Sequence, residues 1–212
     1  MRVSVVTPTI RPEGLLDVQQ SLERQTLTDF EWLVEVGVTS HGNDLNRAYN
    51  RMLRRATGSL VVSIQDYTMF GDSLLEELYR SHEENPSIWY TVDVAHTDGI
   101  VTEYDWRHYR KGEDINFMEY ELCVGSFPLV GMRQIGGFDE ELDELTWGFD
   151  NVNVGFRAKR AGFPLKVHPT AEAVQYKHDL TTEHPFRAKM IPDLHNARLG
   201  QIERGEVKIR YI

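Results

Sequence analysis

An α/β fold built on a mostly parallel sheet is what this 212-residue chain predicts, on three observations. Apolar runs rich in β-branched residues recur at 3–7 (VSVVT), 31–38 (EWLVEVGV) and 59–64 (SLVVSI). Segments with helical apolar spacing separate and follow them. The resulting β-α-β-α-β-α order over the first 85 residues requires right-handed crossovers and hence parallel strands. Ligands of such sheets bind beyond the carboxyl ends of the strands, so residues 7–11, 35–43 and 65–70 are expected along one edge.

The first strand is a buried parallel one, ended by a turn at Pro8. A helix follows over roughly 13–25, with Leu15, Leu16, Val18 and Leu22 as its apolar positions. The second strand closes at Gly37, and the turn HGND can cap the next helix at Asn43. That helix has the clearest periodicity, through Leu45, Ala48, Tyr49, Met52, Leu53 and Ala56, with Gly58 as its stop. The third strand runs into Asp66, and Asp72 or Ser73 caps a helix whose first turns carry Glu76 and Glu77. A fourth strand is expected over 88–95, then a long loop or irregular insertion from 96 to 120. LCVGSFPLVGM reads as a strand, GGFDEEL as a turn, 150–161 as a helix ended by Gly162, and FPLKVH and AEAVQYKH as two short strands. The polar stretch 181–212 reads as a tail wrapped on a single domain over 1–180.

Composition narrows the function classes. A net charge of −10 and a pI of about 5.3 argue against nonspecific nucleic-acid binding, which needs a basic face. Any anionic ligand must then be captured by local features. The densest basic cluster is RHYRK, where Arg107, Arg110 and Lys111 with Trp106 and Tyr109 form either a solvated loop or a site for phosphates or a polyanion. The single cysteine, Cys123, fits a reducing compartment and a small buried residue. No apolar run reaches bilayer length and the N-terminus lacks a signal-peptide pattern, so a cytoplasmic location is expected. No P-loop, Gly-x-Gly-x-x-Gly, Gly-x-Ser-x-Gly or zinc spacing is present.

Three ordered blocks resemble one family. VSVVTPTIRPEGLLDVQQSLERQTLTDFEWLVEVG, LNRAYNRMLRRATGSLVVSIQDY and GGFDEELDELTWGFDNVNVGFRAKRAGF are similar, in that order, to the GT-A-fold glycosyltransferases of family 2. The resemblance implies a Rossmann-like sandwich with a mixed, mostly parallel sheet. It also implies a nucleoside-diphosphate sugar donor, most often UDP-linked, and inverting transfer of one sugar to an acceptor hydroxyl. A divalent metal, Mn²⁺ or Mg²⁺, would bridge the diphosphate oxygens and stabilise their charge as the glycosidic bond breaks, and a base would deprotonate the acceptor.

By the same resemblance, Thr7, Pro8 and Arg11 contact the nucleoside, and Glu35, Asn43, Arg47 and Gln65 line the donor. Asp66 serves the donor and, with His178, the metal. Asp150 is the base, with helix capping as its structural alternative, and Asn151 meets the acceptor. Trp147 beside them offers a flat apolar ring that matches sugar C–H groups, with a core aromatic as its alternative. The chain departs from the family at two places. Gln65-Asp66-Tyr67 supplies one carboxylate where relatives carry two, and Asp150-Asn151 replaces an acidic pair. A glycan, a protein, a small molecule or a modified DNA base all stay open as acceptor. Two rivals stand beside this reading. One is a binding protein on the same fold, which the missing carboxylates would suit. The other is a nucleotidyltransferase, for which TPTIRPEG is a poor phosphate loop.

Overall fold

The computed structural model describes residues 2–36, 44–145, 149–176 and 192–212. Its strands are β1 (Val3–Thr9), β2 (Phe30–Val36), β3 (Leu60–Ile64), β4 (Thr68–Phe70), β5 (Trp89–Thr97), β6 (Thr102–Glu103), β7 (Val124–Pro128) and β8 (Leu165–Tyr176). The helices are α1 (Leu15–Glu23), α2 (Leu45–Arg55), α3 (Leu74–Glu84), α4 (Leu129–Gln134), α5 (Leu142–Leu145), α6 (Asp150–Arg160) and α7 (Pro192–Glu203). The sheet runs in the order β2-β1-β3-β7-β5-β8-β4, with β6 paired to β5. β1 pairs in parallel with both β2 and β3, as the opening pattern predicts. β7 enters antiparallel between β3 and β5, and β5 then pairs in parallel with β8. The sheet is therefore mixed, two parallel blocks joined by one reversed strand.

Side-chain alternation on the strands builds two cores. Val6, Val61, Trp89, Phe127, Leu165 and Val167 pack under α2, α4 and α6 with Tyr49, Met52, Leu53, Met132, Val154 and Ala158. On the other face Val3, Val5, Val62, Val92 and Val94 meet Val18, Leu22, Leu75 and Leu78 of α1 and α3. Every residue of β1 and β3 is buried, which is why those stretches read as unbroken apolar runs.

Several boundaries differ from the sequence expectation. Pro8 does not end β1; it pairs with Glu35 inside the strand, which continues to Thr9. Proline fits there because the pairing with β3 ends at Val6, so β1 is an edge on that side by Pro8. Helix α2 is not stopped by a left-handed glycine. Ala56 already turns extended (φ −59°, ψ 132°), and Gly58 serves close approach, since a Cβ there would lie 2.6 Å from the Ser4 backbone nitrogen of β1. The LVGM part of the expected strand LCVGSFPLVGM is helical, as α4. FPLKVH and AEAVQYKH form one strand, β8, with a register shift opposite Thr91 and Asp93. Asp44, not Asn43, precedes α2, and Ser73 precedes α3; Asn43 itself lies outside the described residues.

The segment 96–120 is ordered by its own polar groups. It holds the β5–β6 hairpin and two 3-10 turns, Trp106–Arg110 and Phe117–Glu119, the second closed by a capping box between Asn116 and Glu119. The RHYRK cations are spent inside the protein. Arg107 is buried, chelates Asp105 and donates to Cys123 Sγ at 3.0 Å. Arg110 pairs with Glu113 and Glu119, and Lys111 with Asp93 and Glu172. A cluster neutralised in this way is neither a solvated loop nor a polyanion face. Cys123 is half-buried beside Arg107 rather than sealed in the core.

Residues 192–212 pack on the body of the domain. Arg198 of α7 forms a two-point ion pair with Asp139 (2.7 and 3.0 Å). The Tyr211 N–H donates to the Gly136 carbonyl (2.8 Å), and Arg54 of α2 donates to the Tyr211 carbonyl (2.9 Å). No helix among the described residues is long and apolar enough to cross a membrane.

Candidate active site

The carboxyl ends of β1 and β3 lie side by side because the two strands pair in parallel register, Val6 opposite Ser63. Thr9 and Arg11 at the end of β1 therefore meet Gln65, Asp66 and Tyr67 beyond β3 at one edge. Asp66 is 3% exposed, and among the described residues its side chain bonds to Thr9 and Arg11. Thr9 Oγ1 donates to its Oδ2 at 2.5 Å, Arg11 Nη2 donates to Oδ1 at 2.6 Å, and Arg11 Nε reaches Oδ2 at 3.3 Å. Thr9 Oγ1 in turn accepts the Arg11 backbone N–H at 2.8 Å. Thr9, absent from the sequence-based set, thus ties the strand to the arginine. The alternation of Thr7, Thr9 and Arg11 along an extended strand was the available signal.

The turn after Asp66 is strained. Tyr67 has φ +58°, a left-handed conformation uncommon for a bulky residue. It is held by its N–H on the Gly14 carbonyl (2.9 Å) and by its hydroxyl on Glu13 (3.0 Å), and its ring lies 5.2 Å from the Arg11 guanidinium carbon. A Cβ at position 14 would overlap that ring. Gly14→Ala is therefore expected to swing Tyr67 away and release Arg11, lowering stability by about 1–3 kcal/mol. Calorimetry checks the stability; titration with UDP checks whether the edge weakens with it.

The other donor-side residues sit at or near this edge but are turned to other work. Thr7 accepts from Trp32 Nε1 at 2.9 Å. Glu35 is bound by Arg51 and Arg55, both at 3.0 Å. Arg47 faces Glu144 (3.0 Å), Asp44, Glu140 and Asp143, which ties α2 to the 139–145 turn. Gln65 gives its backbone N–H to Cys123 and accepts from Gln175 of β8 at 3.4 Å.

Asp150 is the first residue of α6, after Phe149 in a left-handed turn (φ 64°); it is not the cap itself. It is buried, and burial pushes its carboxyl up to about 6. Its own N–H and that of Asn151 oppose the rise, while the Glu121 and Asp143 carboxylates add to it. Asn151 Nδ2 donates to Glu121 Oε2 at 2.8 Å, and burial raises Glu121 as well. Asp143 caps α2 by accepting the Asn46 and Arg47 N–H groups, each at 3.0 Å. Behind the site the buried Tyr49 hydroxyl bonds Ser63 Oγ at 2.8 Å, and the charges of both Asp150 and Asp66 act on it. Asp66 and Asp150 thus both act electrostatically on the Tyr49 hydroxyl. Glu121 and Phe149 were missed by sequence; Phe149 stacks on His195 of α7, ring centroids 4.6 Å apart.

Trp147 and His178 lie outside the described residues. Among the described residues no three His, Cys, Asp or Glu side chains gather where they could hold a metal ion. Both oxygens of Asp66 already serve Arg11 and Thr9, so a divalent cation on Asp66 would compete with that pairing. A cavity of about 440 Å³ lies on the outer strands between α3, β4, β5 and β8, lined in part by Asp93, Tyr104 and Glu172 but not by Asp66 or Asp150.

No protein-family model matches the chain and no curated protein matches it. Solved structures do. Staphylococcus aureus TarS 1-349 in complex with UDP-GlcNAc superposes with a TM-score of 0.70 at 16% identity, covering 96% of this chain and 66% of that one. The same protein in complex with UDP gives 0.64 at 14% identity, over 84% of this chain and 61% of that one. A longer TarS structure gives 0.64 at 14% identity, again over 84% of this chain but 37% of that one. The chain thus spans between 37% and 66% of the length of these TarS chains. TarS is a GT-A-type glycosyltransferase. Superposition over nearly the whole chain, on a mixed and curled sheet, establishes that this protein has a GT-A-like glycosyltransferase fold.

Proposed function

We propose that this protein is a glycosyltransferase that moves a sugar from a UDP-linked donor to an acceptor hydroxyl with inversion. The observation that carries the reading is a GT-A-like fold that presents a cation-bearing edge, Thr9, Arg11 and Asp66, at the ends of β1 and β3, and a buried carboxylate, Asp150, whose pKa is raised to about 6. Such a carboxylate is suited to take a proton near neutral pH. The similar TarS structures hold UDP and UDP-GlcNAc, which supports UDP as the nucleotide.

In this reading the donor diphosphate lies at the β1–β3 edge. The acceptor hydroxyl attacks the anomeric carbon from the opposite side, and Asp150 Oδ accepts its proton as the new bond forms. The leaving diphosphate gains negative charge, which positive and N–H groups at the edge stabilise. Asn151 holds Glu121 and keeps the acidic wall in place. No step is routed through a metal, because Asp66 is already paired with Arg11 and Thr9. A glycan, a protein, a small molecule and a modified DNA base stand as acceptor classes.

The test is incubation with UDP-GlcNAc and other UDP-sugars, measuring released UDP and free sugar. Slow donor hydrolysis that Asp150→Asn abolishes is expected. Binding of UDP-sugar with no release of UDP, under all conditions and with acceptor panels, would make the chain a binder on this fold instead.

A further inference from the structure

The geometry points to the Arg11 guanidinium, seated on Asp66, as the cation that meets the donor diphosphate, in the place a divalent metal would take. This rests on the UDP-sugar reading above. The carboxylate beyond β3, Asp66, already accepts from Thr9 Oγ1, Arg11 Nη2 and Arg11 Nε at 2.5, 2.6 and 3.3 Å. A metal ion on Asp66 would have to displace a two-point ion pair to a side chain that is 4% exposed, with a partner that is 28% exposed. It would also place a second positive charge against the guanidinium.

The arginine is built in. Its backbone N–H is fixed by Thr9, and its guanidinium lies over the Tyr67 ring at 5.2 Å. Tyr67 holds that position only by adopting a left-handed backbone, which Gly14 and Glu13 secure. Strain of this kind persists where the surroundings over-determine it and is characteristic of ligand clamps. A guanidinium carries five N–H donors, and Asp66 uses two. The rest form a planar fork that matches two phosphate oxygens. Asp66 is then a positioning residue: it aims Arg11 rather than holding an ion.

A metal-bridged site and an arginine site make opposed predictions, and UDP binding separates them. Isothermal titration of the whole chain with UDP is run in EDTA and in Mn²⁺, on the natural protein and on Arg11→Gln, Arg11→Lys and Asp66→Asn. Circular dichroism and melting temperature report folding of each. The arginine assignment expects equal UDP affinity in EDTA and Mn²⁺. It expects a loss of about tenfold or more in Arg11→Gln, the range for a charge-assisted bond, and an intermediate loss in Arg11→Lys, which keeps the charge without the fork. Asp66→Asn should weaken UDP far less than Arg11→Gln does.

UDP binding that vanishes in EDTA and returns with Mn²⁺, or that Asp66→Asn abolishes while Arg11→Gln spares it, overturns the assignment and leaves the UDP reading standing. No UDP binding by the natural protein, with or without Mn²⁺, overturns the UDP reading and this assignment together.

Discussion

Asp150→Asn is expected to remove transfer and, at the same time, to stabilise the protein at neutral pH. Removing a general base lowers the rate by about 10²–10⁴-fold. The stability change follows from proton linkage. The Asp150 carboxyl sits at about 6 in the folded protein against an ordinary value of 3.8, so the folded state holds the proton more tightly than the unfolded one. Stability attributable to this group is present below 3.8, declines as pH rises, and is lost above about 6. The buried charge therefore destabilises the fold at pH 7 by on the order of 2–3 kcal/mol. Asparagine removes that charge while forfeiting part of the favourable contact with the α6 N-terminus. A net gain of about 1–3 kcal/mol, or several degrees in melting temperature, is expected at pH 7 and should disappear near pH 4. In the natural protein, kcat/KM should fall about tenfold per pH unit below about 6, as the base is protonated. An unchanged melting temperature in the variant, or a flat pH profile, would remove Asp150 from the role.

The second large effect concerns α7. Arg198→Met is expected to destabilise the protein by about 3–5 kcal/mol, because it strands a buried, unpaired carboxylate. Asp139 has a fully buried side chain and Arg198 is 4% exposed. The double variant Asp139→Leu/Arg198→Met should recover much of that loss, since a buried pair replaced by apolar groups is often neutral. Urea denaturation of the two singles and the double measures the coupling directly. The single variant should also weaken activity beyond what its stability explains. Helix α7 carries His195, whose ring is stacked on Phe149, the residue that turns the chain into Asp150.

The first half of the fold was legible because its central strands are buried on both faces. VSVVT and LVVSI are unbroken apolar runs, and α2 shows its periodicity because one side of it packs on the sheet and the other meets water. The second half was harder for a physical reason. In VGSFPLVGM, strand β7 and helix α4 are both short and both apolar, and periodicity cannot part them. The order of 96–120 comes from ion pairs and caps, some between residues far apart in sequence, such as Lys111 with Glu172, which no local pattern reveals. In the site, Asp66, Arg11 and Asp150 were picked out by resemblance. Their partners were not: Thr9, Tyr67 and Glu121 matter only through contacts the fold creates. The same holds in reverse for Glu35 and Arg47, whose charges read as available in sequence and are met by neighbours in space.

The pairing of β4 with β8 sets an order of assembly. The β2-β1-β3 block involves only the first 64 residues, so its contacts are local and can form early. The strand beyond Asp66, β4, has a different fate: its partner is β8, with Phe70 opposite Ala173 and Thr68 opposite Gln175. Contacts of such sequence separation are slow to close, because the chain between them must first be ordered. During synthesis, which adds about 5–20 residues per second, the turn bearing Asp66 and Tyr67 waits for the chain through Tyr176. The β1–β3 edge is thus begun among the first residues made and finished by the last described strand, so a nascent chain stalled before β8 should hold a folded amino-terminal block without the completed site proposed for UDP.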